Sequence, residues 1–427
     1  VFPSSTQAGT AGDRPRQDVI IAGAGPAGMV LALLFVRQGL RVTVLEAAST
    51  FDRSFRGDTL HPATLELMER LGLIDELLHL DHTRAHSARL IRPEQVTTLA
   101  NFRHLHGKYP YLAVMNQAQF LRFLHRALTE FSGVSVEFGA RVQELTSSGG
   151  RVTGVRYEQG GTVHTLEAAV TIGADGRYSK VRAAAGLSLR SLSPGQDVLW
   201  FSLPRHASDP HGNIDLHVGS GHCMVTTDHG ERWQVGLSIR KGSYAEARSG
   251  GVAMVRQTIG QALPWLAERA ELLTDWKQLR LLSVEVSRLR RWYRPGLLMI
   301  GDAAHVISPI GGLGINMAIQ DAVACANLLT APLLQQRLQT RHLAAVQRRR
   351  AWQIAVLQAQ QVVEEREVGQ IVGQPQAVHV PMLLLRVLNR LPLLCRVPAY
   401  VTAYGLWPER LQRRWWKPQT GKLQAGT

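Results

Sequence analysis

The sequence predicts an α/β chain: a parallel-sheet domain, a mainly antiparallel β-sheet inserted into it, and a helical C-terminal region. Three observations lead there. Residues 18–46 run strand, glycine turn, helix, strand. Residues 187–285 change to short alternating segments joined by loops rich in Gly, Asp, His and Pro. After residue 322, apolar positions recur at three- and four-residue spacing.

Composition narrows the class. The 427 residues are 45% hydrophobic and 19% charged, a globular balance with room for more than one core. Residues 1–17 are polar and rich in Gly, Pro and Ser, and lack the apolar middle of a secretion signal. They read as a disordered leader. Cys223, Cys325 and Cys395 lie far apart without C-x-x-C spacing, which points away from a disulfide framework or a zinc site and towards a reducing cytoplasm. No run of eighteen apolar residues suggests a bilayer-spanning helix. The net charge of +15 suits anionic cofactors or substrates, but the basic residues are scattered and no nucleic-acid motif accompanies them.

Residues 18–46 read DVIIAGAGPAGMVLALLFVRQGLRVTVLE. Val19–Ala22 is expected as a strand, Pro26–Gln38 as a helix stopped by Gly39, and Arg41–Leu45 as a second strand closed by Glu46. Gly23, Gly25 and Gly28 form G-x-G-x-x-G. The first permits the tight turn, the second lets backbone approach a pyrophosphate, and the third lets helix pack on strand. Pro26 and Ala27 open the helix, whose free N–H groups and dipole favour the pyrophosphate. Glu46 stands where a carboxylate accepts the hydroxyls of an adenosine ribose, which favours FAD or NAD over a phosphorylated ribose.

Two later stretches have the same logic. TIGADGRYSKVRAAAGL (171–187) reads as a strand ending near Ile172, a turn at Gly173–Gly176, and a helix starting near Ser179. LLMIGDAAHVISPIGGLGINMAIQDA (297–322) is an aliphatic strand ending in Gly-Asp, a loop almost bare of side chains, and an apolar helix opening near Ile315 and Asn316. A simple NAD dehydrogenase has no need of either.

G-A-G-P-A-G at 23–28, A-D-G-R-Y-S at 174–179 and G-D-A-A-H…P-I-G-G-L-G-I-N at 301–316, with FRGDTLHPATLELMERLGL at 55–73, stand in one order. In that set the chain resembles the single-component flavoprotein monooxygenases, the aromatic hydroxylase family typified by p-hydroxybenzoate hydroxylase. The resemblance implies a Rossmann-type FAD-binding domain in three parts, 18–76, 111–186 and 286–330. It implies a substrate domain in two, 77–110 and 187–285, with a C-terminal helical region at 331–427. It implies that Asp302 bonds the ribityl chain and that Asp175 and Gly176 lie near the pyrophosphate. Arg56 would reach the active-site side of FAD, Gln117 the ribityl–phosphate chain, and Val142 the adenine through its backbone. Pro309 to Gly314 would bring bare backbone to the isoalloxazine ring, with the N–H groups near Ile315 and Asn316 aimed at it. His305 is expected to be a packed, hydrogen-bonded histidine without chemistry.

The activity implied is hydroxylation of an aromatic or polyketide-like small molecule by FAD, with NAD(P)H as transient donor and O2 reacting through a flavin hydroperoxide. The cofactor carries that chemistry, so no catalytic side chain and no metal is assigned. A second strand–G-x-G-x-x-G–helix unit, the W-x-W-x-I-P of flavin halogenases and the extension of phenol hydroxylases are all absent from the sequence. Alternatives on the same fold are an FAD dehydrogenase or isoprenoid-type reductase, and a non-catalytic binding protein.

Trp200, Phe201, Met224 and Trp233 are candidates both for a substrate pocket and for plain sheet packing. Val252–Ala270 reads as a helix and Leu281–Ser287 as a strand. Leu334, Leu338, Trp352 and Val356 mark the apolar positions of the helical 333–368 stretch. The Arg-studded apolar tail 380–416 suits two short amphipathic helices packed on the flavin domain, a homodimer contact, or weak contact with a membrane surface. The expected location is cytoplasmic, in the last case at the membrane periphery.

Overall fold

The structure is a computed structural model that describes residues 17–52, 59–193, 196–219, 221–372 and 392–412. The expected leader and Arg56 lie outside these residues, as does much of the tail.

The first sheet holds β1 (Gln17–Ala22), β2 (Val42–Glu46), β3 (Val134–Phe138), β4 (Thr162–Gly173) and β5 (Leu297–Met299). Their order is β3-β2-β1-β4-β5, all parallel, with Tyr293–Arg294 antiparallel at the edge. Val and Ile fill the central strands, as strands covered on both faces require. Between β1 and β2 runs α1 (Pro26–Val36), with Pro at its first turn and every residue from Ala27 to Val36 buried. It ends two residues before the expected Gln38. A helix apolar all round belongs inside a core.

The remaining helices used below are α2 (Pro62–Arg70), α3 (Gln117–Thr129), α4 (Lys180–Ala184), α5 (Gly251–Ala262), α6 (Leu313–Leu334), α7 (Thr340–Ile371) and α8 (Arg396–Tyr404). The expected 252–270 helix is broken: α5 stops at Ala262, Pro264 starts a 3-10 turn, and a short helix resumes at Ala267–Ala270. Leu281–Ser287 likewise divides into the strands Arg280–Ser283 and Val286–Leu289. The segment Ile310–Leu334, which includes α6, is long and apolar enough to cross a bilayer, but 72% of its most apolar window is buried in the protein. It is a core helix.

The second sheet has seven strands. In order they are Arg280–Ser283, Asp197–Pro204, Arg232–Ile239, His222–Asp228, Asn213–Gly219, Ser87–Arg92 and Gln95–Asn101. All neighbours are antiparallel except Asn213–Gly219 with Ser87–Arg92.

The register of this sheet sorts the pocket candidates. One cross-strand row runs Leu90, Leu216, Val225, Gly236, Trp200. Trp200 clusters there with Val198 and Val284, and on the same face Leu90 and Cys223 meet Ile371 and Val372 at the end of α7. Gly236 has no side chain because the Trp200 indole lies over it, 3.0 Å from where a Cβ would sit. Phe201, Met224 and Trp233 point the other way and pack with Val255, Ile259 and Leu266, around α5. Side chains alternate faces along a strand, so adjacent Trp200 and Phe201 cannot share a pocket.

The long helix α7 departs from expectation. Trp352 and Val356 are 48% and 49% exposed, and Leu334 is 52% exposed. The buried face carries Leu343, Val346, Ile354 and Leu357, but also Arg350, Gln353, Gln358, Gln361 and Glu365. That polar stripe determines the site described next.

Candidate active site at the strand ends

The C-terminal ends of four strands lie side by side. Ala22 of β1 pairs with Leu45 of β2 and with Gly173 of β4, and Gly173 pairs with Met299 of β5. The residues that follow therefore emerge along one edge: Gly23–Gly28 after β1, Glu46 at the end of β2, Asp175 and Gly176 after β4, and Asp302 after β5. Strand order reverses between β1 and β4, and an open α/β sheet binds ligands in the crevice at such a switch point.

Each glycine of the first loop has its own reason. Gly23 has φ +106°, and a Cβ there would lie 2.5 Å from the Ala174 carbonyl oxygen, so the turn after β4 rests on it. A Cβ on Gly28 would lie 2.0 Å from the Gly23 carbonyl oxygen, so this residue sets how closely α1 approaches β1. Gly25, the residue before Pro26, has an ordinary φ of −78° and open space where a Cβ would be. Neither strain nor a protein neighbour explains Gly25, whereas a close external group does.

Glu46 is 3% exposed and accepts hydrogen bonds from the amides of Ala24 at 2.9 Å and Ala48 at 2.8 Å. It ties the loop to the end of β2 where its carboxylate was expected to meet a ribose. Val142 is buried near that edge, since Ala140 N–H donates to the Glu46 carbonyl. Gln117 is the first residue of α3, half-buried, and Asn116 rather than Gln117 caps the helix by accepting from Ala118 N–H at 2.8 Å. Asp52 pairs with Arg122 at 2.5 Å.

Asp175 bonds within its own turn: one oxygen accepts from Ser179 Oγ at 2.5 Å and the other from Val181 N–H at 3.1 Å. Burial raises its pKa and these donors oppose the rise. Gly176, at φ +80°, faces open space. Arg182 of α4 joins the second motif to the third by donating to the Ala303 carbonyl at 3.1 Å. Burial lowers its pKa, and the charges of Asp175, Glu285 and Asp302 act against that. Asp302 itself is half-buried in a 3-10 turn that directly follows β5.

The second glycine loop has positive φ at Gly311 (+80°) and Gly312 (+63°), and α6 opens at Leu313, two residues earlier than expected. Pro309 begins the loop half-buried; Gly314, Ile315 and Asn316 form the first turn of the helix. A Cβ on Gly314 would meet nothing within 4 Å. Asn316 is 1% exposed, its Oδ1 accepts from Thr64 at 3.3 Å, and its Nδ2 has no acceptor among the described residues. The helix N-terminus, which has no side-chain cap, and this buried donor offer hydrogen-bond donors without a partner among the described residues. That set fits the electron-rich pyrimidine edge of a flavin, and the open glycines fit a group lying against backbone.

The polar stripe of α7 holds this loop from behind, a role invisible in the sequence reading. Gln361 accepts from Ser308 N–H at 3.0 Å and donates back to the Ser308 carbonyl at 3.2 Å. Gln358 donates to the carbonyls of Ser287 and Val306, each at 2.9 Å. Glu365 accepts from the Ser308 hydroxyl. Arg350, fully buried, bonds Asp321 of α6 at 2.8 Å, and Asp321 also accepts from Gly301 N–H at 3.0 Å and meets His305 Nε2 at 2.6 Å. Burial would raise the Asp321 carboxyl, but His305 and Arg350 together hold it below the usual range. His305 is thus a packed, hydrogen-bonded residue, with its ring 4.9 Å from that of Trp292. The signal that could have found the stripe is the spacing of 350, 353, 358, 361 and 365, one helical face of Arg, Gln and Glu.

The described part of the tail docks on the same core. Gln320 donates to the Tyr404 carbonyl at 2.9 Å, Asn327 to that of Arg410 at 3.0 Å, and Arg349 pairs with Glu409 at 2.5 Å.

Comparison with known proteins agrees with this geometry. Residues 16–360 match the FAD binding domain family. The chain is 33% identical over 376 residues to 6-methylpretetramide 4-monooxygenase of Streptomyces rimosus, covering 86% of this chain and 90% of that protein. It is 25% identical over 313 residues to pentachlorophenol 4-monooxygenase of Sphingobium chlorophenolicum, covering 71% of this chain but 56% of that one. Among solved structures, anhydrotetracycline hydroxylase OxyS of Streptomyces rimosus superposes with a TM-score of 0.74 at 21% identity, over 91% of this chain and 76% of that one. At that identity the likeness concerns the fold.

Proposed function

We propose, from the premise that this chain belongs to the FAD binding domain family, that it hydroxylates a polyketide-like aromatic molecule with NAD(P)H and dioxygen as co-reactants. It is a flavoprotein monooxygenase with FAD as cofactor. The observation that supports the substrate class is the 33% identity to an enzyme named for a polycyclic polyketide, sustained over 90% of that enzyme's length.

When bound, FAD supplies electron transfer and oxygen activation. The chain's own residues do the rest. Gly23–Gly28 and the start of α1 hold the pyrophosphate, and Glu46 fixes the loop beside it. Asp302 would accept from the ribityl chain. The N–H groups that open α6 and the Asn316 amide offer donors to the edge of the ring that carries negative charge after reduction. The row from Leu90 to Trp200 provides an apolar wall that orients a flat substrate and excludes water.

The test is a panel of polycyclic phenols given to the purified yellow protein under labelled dioxygen. A product heavier by one labelled oxygen, formed with NAD(P)H consumption, is expected. Oxidation or reduction of a substrate without labelled oxygen in the product would favour the dehydrogenase or reductase alternative.

A further inference from the structure

His61 is the residue before α2 and is 0% exposed. Its Nδ1 lies 2.7 Å from the carbonyl oxygen of Thr402 in α8, and its Nε2 lies 3.0 Å from that of Gly312 in the second glycine loop. Both partners can only accept. A neutral imidazole has one N–H and one lone pair, so it bonds one carbonyl and turns its lone pair on the other. Only the imidazolium satisfies both. The Gly312 carbonyl already accepts from Thr59 Oγ1 at 3.3 Å, while the contact to Thr402 is the shorter. The neutral ring therefore keeps its proton on Nδ1, and Nε2 faces Gly312 unprotonated.

Burial lowers the pKa of His61, and the two carbonyls oppose that without overcoming it. No charged side chain among the described residues contributes. The ionisable groups on the packed elements are Glu66, Glu69 and Arg70 of α2, Arg396, Tyr400 and Tyr404 of α8, and Asp321 and the buried thiol Cys325 of α6. Glu66 is bonded to Tyr404 at 2.8 Å, Glu69 to Lys108, and Asp321 to Arg350 and His305. The site has a place for a proton on Nε2 but lacks the negative charge to hold it. That charge arrives if the cofactor beside the loop becomes anionic.

We propose that His61 is a proton acceptor coupled to cofactor reduction: Nε2 gains a proton from solvent when negative charge builds beside the 309–314 loop, and the new N–H bond to Gly312 fixes the loop against α8. The inference rests on the FAD reading above. The hydride of NAD(P)H brings two electrons and one proton to the cofactor and leaves one net negative charge there. The solvent proton on His61 offsets that charge, so no further reductant is needed. His61 is a positioning residue here, acting through the loop.

The test counts protons. Holoenzyme in weak buffer at pH 7 is photoreduced without oxygen, and a pH indicator reports uptake per flavin. The unmodified protein should take up close to one proton more than His61→Asn, whose amide can replace the Nδ1 bond but cannot titrate. In the unmodified holoenzyme, 15N NMR of labelled histidine should show the Nε2 resonance of His61 move to its protonated position on reduction. This second measurement stands even if the variant does not fold. A yellow, reducible protein with equal uptake in both forms, or an Nε2 resonance that stays put, overturns this inference alone. A chain that binds no FAD overturns it together with the proposed function.

Discussion

The two glycine loops face one crevice but are built in different ways. The first is self-contained: Gly23 to Gly28 lie between β1 and α1, and Glu46, which fastens them, is 22 residues from the Ala24 amide it bonds. The second is held from a distance. Ser308 is fixed by Gln361, 53 residues on, and the Gly312 carbonyl accepts from Thr59 Oγ1, 253 residues back. In the proposed arrangement the pyrophosphate end would thus rest on local backbone geometry and the ring end on side chains brought from distant parts of the chain. A local device tolerates change elsewhere, whereas a braced one can be tuned, or lost, through its brace.

The comparison can be broken most severely at Gly28. A methyl group there meets the Gly23 carbonyl oxygen at 2.0 Å, so Gly28→Ala should prevent α1 from seating on β1. Little soluble, FAD-binding protein is expected on expression. A soluble, yellow variant would show that the first loop yields more easily than its packing implies.

The next largest effect falls on the brace. Asp321→Asn leaves the fully buried Arg350 without its counter-charge, which costs about 3–5 kcal/mol. Urea unfolding should show that loss, and the flavin should dissociate more readily because Gly301 N–H and Arg350 must then compete for one amide oxygen.

Gln361→Leu is milder. It removes both bonds to Ser308 and leaves a buried amide unsatisfied, about 1–3 kcal/mol. Its sharper readout is weakened FAD binding, which the first-loop residues would not feel.

The pattern of legibility follows the same division. The β1–α1–β2 unit and its glycines could be read because the contacts of Gly28 and the Ala24–Glu46 bond lie within residues 18–46, although Gly23 packs on Ala174 outside them, and Gly311 to Gly314 were visible as a bare loop. The stripe on α7 was not, because Gln and Arg on a helix usually mean solvent; Ser287, Val306, Ser308 and Asp321, brought near by the fold, give them partners. Trp352 and Val356 misled for the converse reason, since helical spacing shows that a face exists without showing what covers it. In the second sheet, alternation separated Trp200 from Phe201 but could not say which packed against α5.

A smaller effect probes that sheet rather than the loops. His217 lies opposite Met224, on the same face of the sheet as Asp215 and Arg89, and burial lowers its pKa to about 4, with Asp215 opposing and Arg89 and His222 assisting. The unfolded chain, with an ordinary histidine pKa, binds more protons between about pH 4 and 6.5, so stability should rise with pH across that window. His217→Asn should flatten the rise in urea-unfolding series while leaving FAD affinity unchanged.

The most direct test of the two-loop account is a titration of the apoprotein with FAD in Gly314→Ala, followed by flavin absorbance. Because the added methyl meets no atom of the described residues within 4 Å, the apoprotein should melt at the same temperature as the unmodified chain. Because the space is assigned to the flavin, its affinity for FAD should fall by about tenfold or more, a change of about 1.4 kcal/mol. Unchanged affinity would contradict the placement of the ring against the 309–314 loop.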